Sequence, residues 1–109
     1  VAEGLGRKIS PDIQGVQKID NVFLISKIKV KKYLTGVRVT GLMINASSLV
    51  QNDARFRITI NDVSREFTVK RISPGSSSRF SVDLPNINPA EATEAEVRTL
   101  GASVSYYVD

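Results

Sequence analysis

The chain has 109 residues and a formal net charge of +4, with 41% apolar and 24% charged residues. This length and balance are typical of one globular domain that buries its own core, and they exclude a disordered chain. Cysteine and histidine are both absent, which excludes disulfides, thiolate nucleophiles, Cys/His metal sites and a histidine base.

The sequence contains no apolar run near the roughly 20 residues that a membrane-spanning helix needs. It begins at Val1 without the apolar region of a signal peptide. We interpret this start as that of a trimmed or processed chain, with a membrane anchor as one candidate for what preceded it.

Charge is distributed unevenly along the chain. Residues 22–52 contain no acid, and their cations are Lys27, Lys29, Lys31, Lys32 and Arg38. The segment from Asp83 onward is acidic, with Arg98 as its only cation. Such asymmetry bears on partners and solubility rather than on fold.

Residues 1–21 predict a flexible lead-in or tether. Glycine, proline and polar residues dominate there, and apolar residues are isolated. One short strand is predicted around Gly15–Ile19. We therefore place the folded domain at residues 22–109.

The segment 22–33 predicts a strand, because apolar and charged residues alternate in it. Ile28 and Val30 lie on one face of a regular strand. The other face then carries Phe23, Ile25, Lys27, Lys29, Lys31 and Tyr33. We interpret the lysines first as a solvated face that prevents pairing with another chain. The alternative is a binding face for an anionic partner, to which Lys32 and Arg38 would also contribute.

A turn at Leu34–Gly36 leads into a second strand, in which alternation breaks at Gly41. Leu42, Met43 and Ile44 follow as a continuous apolar run. A strand covered on both faces explains this run, and we favour that interpretation. A bulge at Gly41 is a second explanation. The third is that Leu42 and Ile44 point outward into a protein interface.

The segment 55–69 predicts a β-hairpin around the two-residue turn Asn61-Asp62, because both residue types tolerate positive φ. Arg65 interrupts the apolar face of the returning strand, which indicates incomplete burial near the turn. The register that follows pairs Ile60 with Val63 and Phe56 with Phe67.

The rest of the chain predicts a turn at Ser73–Ser78, a strand to Leu84, a short helical turn capped by Asn88, and a last strand over residues 97–108. Six or seven short strands with frequent turns are typical of an all-β, antiparallel β-sandwich. A small β-barrel of the OB type is the alternative.

Neither a catalytic nor a metal-binding motif is evident in the sequence, and we expect no enzymatic activity and no cofactor. Nucleic-acid binding favours aromatic residues among the basic ones on an exposed sheet face. Phe23 and Tyr33 are the only candidates, and both lie outside the run of lysines.

Three elements resemble the FxLYD-type domains of bacterial envelope proteins, a family of immunoglobulin-like β-sandwiches. They are the strand from Val39 to Ser47 with Gly41 and Asn45, the hairpin from Phe56 to Asp62, and the Pro74-Gly75 turn before Phe80. The family's Tyr in the "LYD" element is Asn61 here, and Met43 replaces a valine. The resemblance implies an immunoglobulin-like fold without catalysis.

The same resemblance implies an accessory or structural domain of a larger extracytoplasmic assembly of the bacterial envelope. The apolar run from Leu42 to Ile44 and the uneven charge predict that the domain functions through protein–protein contacts, with another protein or with copies of itself. The alternative function is anion binding to single-stranded nucleic acid or acidic lipid through residues 27–38. We expect no small-molecule substrate.

Overall fold

The computed structural model describes residues 7–9, 15–88, 90, 92 and 95–105. These residues form eight strands. In chain order they are β1 (Arg7–Ile9), β2 (Val16–Lys18), β3 (Phe23–Tyr33), β4 (Gly36–Asn45), β5 (Val50–Ile60), β6 (Val63–Ile72), β7 (Ser77–Leu84) and β8 (Ala95–Ser105).

The strands form two antiparallel sheets of four. Sheet I has the order β1-β8-β5-β6, and sheet II has the order β2-β3-β4-β7. The chain changes sheet after β1, after β4, after β6 and after β7. Across these changes β4 pairs with β7, and β5 pairs with β8. The predicted all-β antiparallel sandwich is confirmed.

All four phenylalanines form one row across the core between the sheets. Phe23 contacts Phe56 edge-on, with ring centroids 4.9 Å apart. Phe67 stacks between Phe56 and Phe80, at 5.4 and 4.7 Å. Gly41 lies opposite Phe80 in the pairing of β4 with β7, and a Cβ at Gly41 would stand 3.0 Å from that ring. The glycine therefore makes room for an aromatic ring that closes the core.

The predicted hairpin at Asn61-Asp62 and the predicted turn after β3 are confirmed. Asn61 and Asp62 both have positive φ, 48° and 67°, as a two-residue turn between twisted strands requires. Ile60 pairs with Val63, and Phe56 with Phe67. The Leu34–Thr35 turn joins β3 to β4. The incomplete burial predicted near the Asn61-Asp62 turn is confirmed too, because Arg65 is exposed.

The folded unit begins earlier than the predicted start at residue 22. β1 pairs with β8 and β2 pairs with β3. Ile9 and Ile19 are buried in the core. The expected strand around Gly15–Ile19 is present as β2. The assignment of the whole segment 1–21 to a flexible lead-in needs correction. Its isolated apolar residues Ile9 and Ile19 pack in a core that later strands mainly form.

A β-bulge interrupts β3, which the sequence predicted to be regular. The register with β4 shifts between Ser26 and Lys29, and Lys27 has a φ of 53°. The extra residue reverses the phase of the strand. Phe23, Ile25 and Ile28 are therefore all buried, and the expectation that Phe23 and Ile25 share the lysine face is wrong.

β4 alternates without interruption through Gly41. Val37, Val39 and Met43 are fully buried, whereas Leu42 and Ile44 are half-buried and lie on the opposite face. The favoured interpretation, a strand covered on both faces, is wrong for the residues that the structure describes. A bulge at Gly41 is wrong too, because β4 pairs with β7 without a shift from Val37 to Ile44.

The predicted cap at Asn88 is present, since its Oδ1 accepts a hydrogen bond of 3.0 Å from the N–H of Ala90. Ala90 lies in a 3-10 turn. The last strand begins at Ala95, two residues before the prediction. Its predicted continuation from Tyr106 to Val108 lies outside the described residues.

Candidate functional site

The outer face of sheet II carries an apolar patch of Val16, Leu24, Leu42 and Ile44. Leu24 stands opposite Ile44, and Ser26 stands between Val16 and Leu42 in the register. Val16 is 57% exposed, and the other three are half-buried. These side chains are adjacent, they come from three neighbouring strands, and they point away from the core.

Cations and hydroxyls surround this apolar patch. Lys18 lies opposite Leu24, while Arg79 and Ser77 of β7 lie opposite Leu42 and Ile44. All three are exposed. An apolar centre with a polar rim is the usual anatomy of a protein–protein interface. Val16 and Leu24 were not predicted as members of this site.

The predicted anion-binding residues divide into two groups. The first group is the basic strand, which we define as the four lysines of β3. All four are exposed: Lys27, Lys29, Lys31 and Lys32. Among the residues that the structure describes, no carboxylate forms an ion pair with any of these lysines. With respect to the described residues, their ammonium groups can therefore meet an anionic partner.

Arg38 belongs to a different arrangement. Its Nε donates to Oδ1 of Asp83 at 2.7 Å and its Nη2 donates to Oδ2 at 3.2 Å. Its Cζ lies 3.7 Å from the ring centroid of Tyr33. These hydrogen bonds lower the pKa of Asp83 and raise the pKa of Arg38. Because its guanidinium is already engaged, Arg38 is a poor candidate for anion binding.

The two aromatic residues that nucleic-acid binding would use are not available as open stacking surfaces. Phe23 is buried against Phe56. Tyr33 has the Arg38 guanidinium over one face of its ring. Stacking of bases on both residues, which a single-stranded nucleic acid would favour, is therefore not supported by the geometry.

Two polar side chains link the two sheets of the sandwich by hydrogen bonds. Asn45 is fully buried and donates from Nδ2 to the carbonyl oxygens of Leu49 and Ile72. Asp20 accepts from the N–H groups of Val22 and Phe23 and from the hydroxyl of Thr99 in β8. Asn45 is one of the residues that carry the family resemblance in the sequence, whereas no signal in the sequence singled out Asp20.

Within the described part of the chain, no three His, Cys, Asp or Glu side chains stand close enough together to hold a metal ion. The same residues include no helix long and apolar enough to cross a membrane.

Comparison with known proteins shows the fold alone. No protein-family model matches the chain, and no curated protein matches it. Among solved structures, the chain is similar to the trimeric lipoprotein SadB of Salmonella enterica, with a TM-score of 0.74 over 94% of this chain. The identity is 11%, and the match spans 64% of the length of the SadB chain.

Proposed function

We propose that this domain is a non-catalytic structural module that associates with copies of itself through the apolar patch. The observation that carries the proposal is the outward position of Leu42 and Ile44 beside Leu24 on the middle strands of sheet II. Burial of these side chains against a second copy would stabilise the assembly by about 25 cal/mol for each Å² of apolar surface removed from water.

The position of the patch supports self-association. It covers the middle strands β3 and β4, where the backbone hydrogen bonds are already formed, so a partner would pack against side chains and not extend the sheet. Closed symmetric assemblies are the usual outcome when one surface recognises an equivalent or neighbouring surface. SadB, whose fold this chain shares, is described as trimeric, which makes a trimer the first assembly to test.

An extracytoplasmic location is part of the proposal. The support is that SadB is described as a lipoprotein and that the sequence resembles envelope domains. The chain lacks cysteine and histidine, so the commonest nucleophile and acid–base groups are missing. The domain would therefore act through binding, and generic esterase, phosphatase and glycosidase substrates should give no turnover.

Membership of the FxLYD-type, immunoglobulin-like family remains a proposal. It is supported by contacts among the elements that carry the resemblance. Gly41 makes room for Phe80. The N–H of Gly75 donates to the carbonyl of Asn45 at 2.8 Å, and the N–H of Asn45 donates to the carbonyl of Ser76 at 3.0 Å. The sheet changes after β4, β6 and β7 are also compatible with an immunoglobulin-like order.

The proposal is tested by sedimentation equilibrium of the full chain over a wide concentration range. Leu42→Lys should shift the mass toward the monomer, because it introduces a charge at the centre of the apolar patch. Thr68→Lys is the matched control, since Thr68 is exposed on β6 of the other sheet. A chain that stays monomeric at every concentration, or a Leu42→Lys variant that assembles like the parent, contradicts the proposal.

A further inference from the structure

The tip of the β3–β4 hairpin presents an apolar side chain to solvent. Leu34 is the first residue of the two-residue turn and is 78% exposed. Its φ is 54°, in the left-handed region that glycine and asparagine tolerate and that other L-residues enter at a cost of about 1 kcal/mol. The fold thus carries a leucine where its backbone is strained and its side chain buries little.

Cations flank this apolar tip. Lys31 and Lys32 come just before Tyr33 and Leu34, and Lys29 is exposed further along the same strand. Residues 22–52 contain no acid, so the hairpin has no carboxylate of its own to neutralise them. The result is a two-residue turn with an exposed leucine and three lysines behind it, none of which pairs with a carboxylate in the described part of the chain.

We propose that this tip contacts a membrane surface rich in anionic phospholipid. An exposed leucine can enter the boundary between headgroups and acyl chains, while lysines just behind it meet the lipid phosphates. Single-stranded nucleic acid fits less well, because Phe23 is buried and Tyr33 is covered on one face by Arg38. An anionic membrane uses both the charge and the apolar tip.

The inference is independent of self-association through the apolar patch. Leu24 of the patch and Leu34 are ten positions apart on one hairpin, which is roughly 30 Å of extended strand. A trimer formed through the patch would therefore leave its hairpin tips free, and three tips on one surface would strengthen a weak contact by avidity.

The test is co-sedimentation of the full chain with vesicles of phosphatidylglycerol and phosphatidylcholine, compared with vesicles of phosphatidylcholine alone, at low salt and up to about 5 mM lipid. Binding is expected only to the anionic vesicles. Leu34→Asn should weaken it roughly tenfold without unfolding the chain, because asparagine suits the turn. The double change Lys31→Gln and Lys32→Gln should weaken it roughly 30-fold.

Matched controls separate the tip from general charge and general apolarity. Lys70→Gln with Arg71→Gln removes two adjacent exposed cations from β6, and Val104→Asn removes an exposed apolar side chain from β8. Both variants should bind anionic vesicles like the parent. Circular dichroism and thermal unfolding establish that every variant is folded.

Three results would overturn the inference. The first is equal binding to neutral and anionic vesicles, or to neither. The second is anionic-vesicle binding that Leu34→Asn leaves unchanged, which would show a charge effect only. The third is binding of a single-stranded oligonucleotide in place of vesicles. Sedimentation measures self-association separately, so a failure of that proposal is distinguishable from a failure of this one.

Discussion

The side-chain amide of Asn45, at the end of β4, donates to the main-chain carbonyl of Ile72, at the end of β6, across 2.8 Å. The two strands belong to different sheets, so this bond joins the layers of the sandwich. The same amide donates to Leu49, and its Oδ1 accepts from the N–H and hydroxyl of Ser47. Within the β4–β5 connection, one buried side chain thereby bonds the carbonyl of Leu49 and both the N–H and the hydroxyl of Ser47.

Asn45→Ala should lower the free energy of unfolding by about 2–4 kcal/mol, because it removes the side-chain donor of the buried Ile72 carbonyl and the acceptor of the Ser47 N–H. Urea denaturation measures the change. Asn52→Ala is the control, because the Nδ2 of Asn52 makes only an exposed hydrogen bond, to Ser105. This substitution should change the free energy of unfolding by no more than about 0.5 kcal/mol. Equal effects of the two substitutions would contradict the proposed importance of the Asn45 bonds between the layers.

Gly36→Ala should destabilise the sandwich where β4 meets β7. A Cβ at Gly36 would overlap the carbonyl oxygen of Leu84, which is main chain and yields only if the strands separate. We expect a loss of about 1–3 kcal/mol in thermal or urea unfolding. Gly15→Ala provides the comparison, because nothing lies within 4 Å of a Cβ there. If Gly36→Ala and Gly15→Ala change the free energy of unfolding equally little, β4 and β7 do not approach each other as closely at Gly36 as described.

Ile19→Ala tests whether the segment before residue 22 belongs to the folded unit. Ile19 is 4% exposed, and removing its buried methyl and methylene groups should lower the free energy of unfolding by about 2–4 kcal/mol. Val16→Ala in the neighbouring strand should have little effect on the monomer, since Val16 is largely exposed. A flexible lead-in would instead tolerate both changes equally, and chemical denaturation distinguishes the two cases.

The ion pair of Arg38 and Asp83 predicts a pH dependence of stability. Hydrogen bonding to Arg38 holds the pKa of Asp83 below its ordinary value near 4 in the folded chain. A carboxyl of this kind stabilises the fold above its unfolded pKa, and the stabilisation disappears as the pH falls through the folded value. The parent should therefore lose stability below about pH 4 more steeply than Asp83→Asn.

Carbon-13 NMR of the Asp83 carboxyl provides the direct measurement. Arg38→Gln should move the midpoint of its titration upward, toward the ordinary aspartate value. Salt at about 1 M should reduce the difference between the parent and Asp83→Asn, because both partners are exposed and their attraction is screened. A midpoint that Arg38→Gln does not move would show that Arg38 is not the cause.

The Asn61-Asp62 hairpin was predictable because its determinants are local. Two residues that tolerate positive φ specify the turn, and the turn then specifies the register of β5 with β6 as far as Phe56 and Phe67. The Leu34–Thr35 turn differs, because Leu34 has a φ of 54° that leucine adopts only at a cost. Nothing outside the segment 55–69 is needed to place β5 and β6 side by side.

The apolar patch depended on a feature that the alternation of residues does not reveal. If β3 had no bulge, the register set by the Leu34–Thr35 turn would pair Ile25 with Ile44, and both side chains would lie on the outer face of sheet II. The bulge at Lys27 shifts the register by one residue, so Leu24 stands opposite Ile44 and Ile25 enters the core opposite Met43. A bulge forms where packing against the other sheet favours the reversed phase, and that packing involves residues far away in the chain.

The sequence by itself determined the β-sandwich class, the turns and the exposed run of lysines, because alternation and turn chemistry act over a few residues. Only the tertiary structure decided that Ile9 and Ile19 complete the core, that Arg38 is engaged by Asp83, and that Leu42 and Ile44 face outward. The physical reason is that these outcomes depend on which sheet covers which face. Which sheet covers which face is a relation between segments distant in sequence, and local periodicity carries no information about it.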